Sequence, residues 1–160
     1  MQVVILAGGK GKRLKSLTLD TPKPLISIRG KPFLQYQLEL VKSFGFKDVV
    51  LLVGYLADKI ENYFGNGSRF GLNIKYSREK ELLGTGGALK NAENELEDEF
   101  LVLNGDTYLN MDYDALIKEF HGCKKSGMVV AYNNLKERVS NNNIEIGEAR
   151  LITGYNNKDT

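Results

Sequence analysis

The apolar run Val3-Val4-Ile5-Leu6 ends in a glycine cluster, Gly8, Gly9 and Gly11, and a basic stretch follows at once. That junction constrains the fold more than any other part of the chain. Aliphatic, largely β-branched residues without polar alternation describe a strand covered on both faces, the setting of an inner strand in a parallel sheet. Glycines at the end of such a strand permit a positive φ and leave no side chain between backbone and ligand. Successive amide N–H groups in such a turn form a concavity for an anion. Lys10, Lys12, Arg13 and Lys15 add positive charge there.

The remaining pattern alternates strands with helices. Pro32 opens a helix whose apolar positions are Leu34, Leu38 and Val41, and Gly45 ends it. Residues 48–53 read as a second buried strand, and 57–64 as a helix with Ile60 and Phe64 one turn apart and Gly65 as its cap. Residues 72–76 alternate as a strand. A helix is predicted over 86–96 with Ala88, Ala92 and Leu96 on one stripe and Thr85 as its N-cap. A strand is predicted over 100–103, and a helix around Leu116, Ile117 and Phe120 with Asp112 as its cap. Residues 128–132 give another strand. This order predicts a Rossmann-like three-layer α/β/α fold with a mostly parallel central sheet. The tail, from Ser140 onward, predicts short antiparallel strands beyond that sheet. No repeat, low-complexity tract or linker divides the 160 residues, so one domain is expected.

Open α/β sheets bind ligands beyond the carboxyl ends of their strands. Loops 7–24, 84–87 and 104–108 therefore belong to one edge. The two commonest nucleotide motifs do not fit the first loop. A dinucleotide fingerprint needs glycine where Leu14 stands, and a P-loop needs glycine at Leu6 and a hydroxyl residue at Arg13.

The segment instead reads L-A-G-G-x-G-x-R-L followed by P-K-P-L, carried by Leu6-Ala7-Gly8-Gly9, Gly11, Arg13-Leu14, Leu17-Thr18 and Pro22-Lys23-Pro24-Leu25. It resembles the signature of the sugar-phosphate nucleotidyltransferases, which join an NTP to a sugar 1-phosphate and release pyrophosphate. Lys12 departs from the threonine usual in that family, and Ser16 from the usual proline. The resemblance implies the nucleotide-diphospho-sugar transferase fold. It also implies that the backbone of Leu6, Ala7, Gly8 and Gly9 cradles base and ribose while Gly11 approaches the phosphates. Arg13 would hold the β- and γ-phosphates, and Lys23 would bridge the α-phosphate and the sugar phosphate. These roles suit a reaction that brings two anions together, where positioning and charge neutralisation do most of the catalysis. A guanidinium binds phosphate oxygens in pairs. Prolines on both sides restrict the backbone around Lys23.

Two further segments resemble the family. "LGTGGAL" contains Gly84, Thr85, Gly86 and Gly87, which would lie against base and ribose at a helix N-terminus. Glycines there are costly to an isolated helix and make sense where backbone meets ligand. "LVLNGDTYL" puts Asp106 after a strand, in the place of the family's metal-holding aspartate. Mg²⁺ takes hard oxygen ligands, often one or two carboxylates plus substrate phosphates. In "ITGYNNKDT" the resemblance gives Lys158 the sugar-phosphate position, although Asn157 and Asp159 replace the usual glutamate and proline. Together with "GKPFLQYQL", these segments are most similar to the heptose 1-phosphate guanylyltransferases. GTP, a heptose 1-phosphate and Mg²⁺ are thus the implied substrates and cofactor. Uridylyl, thymidylyl and cytidylyl transfer to another phosphorylated compound stay open, as does a nucleotide-binding regulatory domain without catalysis. Family members continue into a C-terminal part with more of the sugar pocket and a second metal-binding aspartate. The 160 residues are accordingly expected to bind NTP and turn over weakly or not at all.

Charge and composition narrow the other classes. The net charge of +2 does not argue for nucleic acid or membrane. The acidic run from Glu93 to Glu99 reads as a solvated helix face. Cys123 is the only cysteine, which excludes an intrachain disulfide, and its neighbour His121 is the only histidine. No segment approaches the ~20 apolar residues of a membrane span, so a cytoplasmic protein is expected. A homo-oligomer is compatible with the resemblance, and no sequence feature sets a copy number.

Overall fold

The computed structural model describes residues 1–11, 14, 17–123, 126–128, 144–146 and 152–155. Arg13, Lys158 and most of the strand expected at 128–132 lie outside them. The chain divides into two compact units, Met1–Ile117 and Lys118–Thr160.

In the first unit, β1 (Gln2–Leu6) is followed by a small hairpin of β2 (Ser27–Ile28) and β3 (Lys31–Pro32), then α1 (Phe33–Ser43). Strands β4 (Asp48–Val53), β5 (Asn73–Arg78) and β6 (Phe100–Asn104) alternate with α2 (Ala57–Phe64) and α3 (Gly84–Asn91). The sheet order is β5-β4-β1-β6 and every pairing is parallel. Helix α4 (Tyr113–Cys123) begins behind β6 and runs into the second unit, where β7 (Ile144–Ile146) and β8 (Ile152–Tyr155) form an antiparallel pair.

The unbroken apolar strands are explained by burial on both faces. Val3, Ile5, Val49, Leu51 and Val53 pack with Leu34, Leu38, Val41, Ile60, Phe64 and Tyr113 on one side. Val4, Val50 and Leu52 pack with Ala88 and Ala92 on the other. Each of these Val, Leu, Ile and Phe side chains contributes about 1.5–3 kcal/mol through burial. This is the three-layer arrangement that the sequence predicts.

Several local expectations need correction. Helix α3 stops at Asn91 instead of reaching Leu96, and Glu93–Glu95 form a separate 3-10 turn. The acidic run is therefore exposed turn and loop, with Leu96 extended, not one helix face. Thr85 is not the cap, because Leu83 precedes the helix and Thr85 lies within its first turn. Pro32 stands just before α1, not within it. Asp112 does cap α4, accepting from the Ala115 amide at 2.9 Å.

Candidate nucleotide site

All four parallel strands end on the same edge, which gathers Leu6–Gly11, Gly54, Glu79 and Asn104–Asp106. The strand order departs in opposite directions from β1, making the β1–β6 end the crevice where open α/β sheets bind ligands.

A continuous set of contacts links the segments singled out from the sequence. The Ala7 amide donates to Leu52 O at 2.8 Å, and the Tyr55 amide donates to Gly8 O at 3.2 Å. A Cβ on Gly8 would meet the Glu79 carboxylate, which would have to swing aside, and would lie 3.3 Å from the Gly54 amide nitrogen. That carboxylate also accepts from the Leu83 amide at 2.9 Å, fixing the approach to Gly84. On the other side, the Gly105 amide donates to Leu6 O at 2.9 Å, and a Cβ on Gly105 would overlap the same oxygen. Gly11 takes φ +60, and a Cβ there would lie 2.9 Å from Thr18 Cγ2 and 3.3 Å from Lys23 Cβ. Its glycine is thus demanded by local packing as well as by any phosphate.

Gly9 and Gly86 differ from these packed glycines. A Cβ at either would meet nothing within 4 Å among the described residues. With Gly84, where a Cβ would likewise meet nothing among the described residues, the chain has three glycines on this edge with no described atom packed where a side chain would stand. Gly84 adopts φ +70 as it enters α3, while Gly87 packs on Leu83. Gly84, Thr85 and Gly86 are exposed.

Lys23 lies in the 3-10 turn Lys23–Leu25, with Pro22 extended before it and Pro24 buried after it. The Leu25 amide donates to Pro22 O at 2.8 Å and closes the turn. This geometry sends the Lys23 ammonium to Asp106, where Nζ and Oδ2 are 2.6 Å apart. The two side chains are 33% and 44% exposed, so the pair stands at the crevice mouth. Donation from Lys23 is the main cause holding the Asp106 carboxyl below its ordinary range; burial opposes it, and the Thr107 hydroxyl assists. The outer part of the first loop is tied down by α2 and its approach. The Tyr55 hydroxyl donates to Leu19 O at 2.7 Å, and the Lys59 ammonium donates to Asp20 O.

Two residues of this edge escaped the sequence reading. Glu79 joins the first glycine loop to the second, a long-range role with no motif of its own. Gln37 is a polar residue on the apolar stripe of α1, 2% exposed, with its amide nitrogen on Asn104 O and Thr107 O. A buried polar group at a core position was the available signal. His121 and Cys123 form no metal cluster with acidic residues among the described residues.

The family model for nucleotidyl transferase matches residues 2–148. The chain belongs to that family. It is 38% identical over 158 residues to the D-glycero-alpha-D-manno-heptose 1-phosphate guanylyltransferase of Campylobacter jejuni, covering 99% of this chain and 69% of that protein. Identity is also 38% over 153 residues to the enzyme of the same description from Aneurinibacillus thermoaerophilus, covering 95% of this chain and 66% of that protein. Among solved structures it resembles HddC from Yersinia pseudotuberculosis complexed with GMP-PN, with a TM-score of 0.67 and 43% identity. That match covers 74% of this chain and 53% of the HddC chain. This nucleotidyl transferase chain therefore spans about two thirds of those curated relatives and half of that solved chain. Its fold is that of the nucleotide-diphospho-sugar transferases. No helix among the described residues is long and apolar enough to cross a membrane.

Proposed function

We propose that the protein carrying this chain transfers GMP from GTP to a heptose 1-phosphate in the cytoplasm, forming GDP-heptose and pyrophosphate. The observation that carries the reading is the Lys23–Asp106 pair beside open glycine backbone, in a chain 38% identical over 99% of its length to a heptose 1-phosphate guanylyltransferase. A sugar phosphate oxygen attacks the α-phosphorus, a new P–O bond forms, and the bond to the β-phosphate oxygen breaks to release pyrophosphate. The backbone of Leu6, Ala7, Gly8 and Gly9 receives base and ribose against Gly84, Thr85, Gly86 and Gly87, with Gly11 near the phosphates. Lys23 neutralises the reacting phosphates, Arg13 holds the leaving pyrophosphate, and Lys158 faces the sugar phosphate.

Asp106 fits a magnesium ligand. It is a hard oxygen donor, kept ionised by its neighbours and open to solvent. Magnesium, when bound, supplies positive charge to phosphate oxygens. We assign the base through Glu79, whose carboxylate lies between Gly8 and the Leu83 amide. Guanine offers a carboxylate two adjacent donors, N1–H and the 2-amino group, whereas uracil and thymine offer one imide N–H.

The test is pyrophosphate release with each of the four NTPs and a panel of sugar 1-phosphates. Turnover confined to GTP with a heptose 1-phosphate is expected. Turnover with UTP and an amino sugar phosphate would overturn the substrate reading, and GTP binding without turnover would favour a regulatory domain.

A further inference from the structure

The turn bearing Asp106 leaves two backbone carbonyls, Asn104 O and Thr107 O, directed into the protein. Both accept from the same nitrogen, Gln37 Nε2, at 2.8 and 2.7 Å. Asn104 O also accepts from the Thr107 amide at 3.2 Å, which closes the turn on itself. Gly105, between them, is fastened to β1 through Leu6 O. Asp106 is thus held on both sides of its own Cα.

The chemistry of these contacts fixes the orientation of the side chain. Both partners are acceptors, so only the amide NH₂ can face them, and an inverted carboxamide would set three oxygens against one another. Gln37 Oε1 is left buried without a hydrogen-bond partner among the described residues. A buried unsatisfied carbonyl is normally avoided. Leucine or methionine would fill this stripe of α1, alongside Leu34, Leu38 and Val41, without that cost. What an apolar residue cannot do is donate twice to the Asp106 turn.

We infer that Gln37 is a positioning residue for the site, its buried carboxamide stapling the turn that aims the Asp106 carboxylate at Lys23 and at a divalent cation. The cation half of this statement rests on the function proposed above, while the staple does not. Outer residues that orient a metal ligand commonly alter metal affinity by about 10–100-fold.

The variants are Gln37→Met, which keeps the volume and removes both donors, and Gln37→Glu, which keeps the shape and offers only acceptors when ionised. Three readouts are compared in the native and variant chains. Thermal melting reports folding, hydrogen exchange of the Gly105 amide reports the turn, and a Mn²⁺ titration by EPR with and without GTP reports the metal. Folded variants should exchange Gly105 about tenfold faster or more and bind Mn²⁺ about tenfold more weakly. GTP affinity measured without metal should change less than the Mn²⁺ affinity does. Native exchange at Gly105 in either folded variant would overturn the staple. So would failure of both variants to fold, because Gln37 would then be a general core requirement. If the native protein binds no Mn²⁺, the metal reading falls and Gly105 exchange still decides the role of Gln37.

Discussion

Replacing Gly105 by alanine is the sharpest test of how the site is built. Gly105 is not among the positive-φ glycines, so its backbone would accept alanine and contact alone sets the cost. The added Cβ would overlap Leu6 O, lie 3.0 Å from Leu6 C and 3.3 Å from Ala7 Cα. None of these atoms belongs to a side chain that could swing away; all are backbone, at or just past the end of an inner strand paired on both sides. Overpacking of this kind costs about 1–3 kcal/mol. Relief by moving the turn sacrifices the Gly105–Leu6 hydrogen bond, worth about 0.5–1.5 kcal/mol. Together these give about 1.5–4.5 kcal/mol, which for a chain of this size lowers the melting temperature by about 3–18 °C. The control is Gly9→Ala. A Cβ there meets nothing within 4 Å among the described residues, so stability should change by less than about 1 kcal/mol. On the function proposed above, GTP affinity should nevertheless fall, since the methyl group would stand where the nucleotide is proposed to lie. Scanning calorimetry and a nucleotide titration separate the two glycines. A Gly105→Ala chain melting within about 2 °C of the native one would refute the packing argument.

Three further outcomes are expected. Lys23→Met should reduce pyrophosphate release by about 10²–10³-fold, yet cost under about 1 kcal/mol because the pair with Asp106 is partly exposed. The Asp106 carboxyl is lowered in the folded chain, so its stabilisation is complete above the ordinary carboxylate range and is lost as pH falls through the lower folded value; melting curves against pH should show this acid limb weakened in Lys23→Met. Glu79→Gln should narrow the preference for GTP over UTP about tenfold or more, read as a ratio of kcat/KM values, since a paired contact to a base edge is worth about 1–3 kcal/mol. Burial pushes the Tyr76 hydroxyl up to about 12 while it donates to Gly65 O at 2.6 Å. The unfolded chain loses that proton first, so stability should fall between about pH 10 and 12. Tyr76→Phe should flatten that alkaline limb in a denaturation series, and an unchanged limb would exclude Tyr76 as its source.

The layers and most strands were legible because burial on both faces leaves a plain mark. Residues 49–53 are an unbroken apolar run, and with Asp48 they form β4 over the span read from the sequence. Helix α2 likewise matches its sequence reading from Ala57 to Phe64, with the ends set by Leu56 and Gly65. Strand β5 runs to Arg78, past the predicted alternation, because parallel pairing continues as far as Val53 on β4. Helix α3 was misread at both ends for a related reason. Ala88 and Ala92 keep a common buried stripe even though the helix gives way to a 3-10 turn after Asn91. At the site, Lys23 and Asp106 were legible through their motifs, but their direct contact spans 83 positions and has no local signature. Glu79 and Gln37 were missed because their significance lies in partners that only folding brings near.

The Lys23–Asp106 contact has a consequence for how ligands arrive. The crevice carries its own counter-ion, so an incoming phosphate and an incoming cation each exchange one partner for another. A phosphate that draws the ammonium away uncovers the carboxylate, and a cation on the carboxylate frees the ammonium. Either ligand alone must break the pair, whereas the two together share that cost. Nucleotide and metal should therefore strengthen each other's binding by the same factor, with the resting ion pair as the element that couples them.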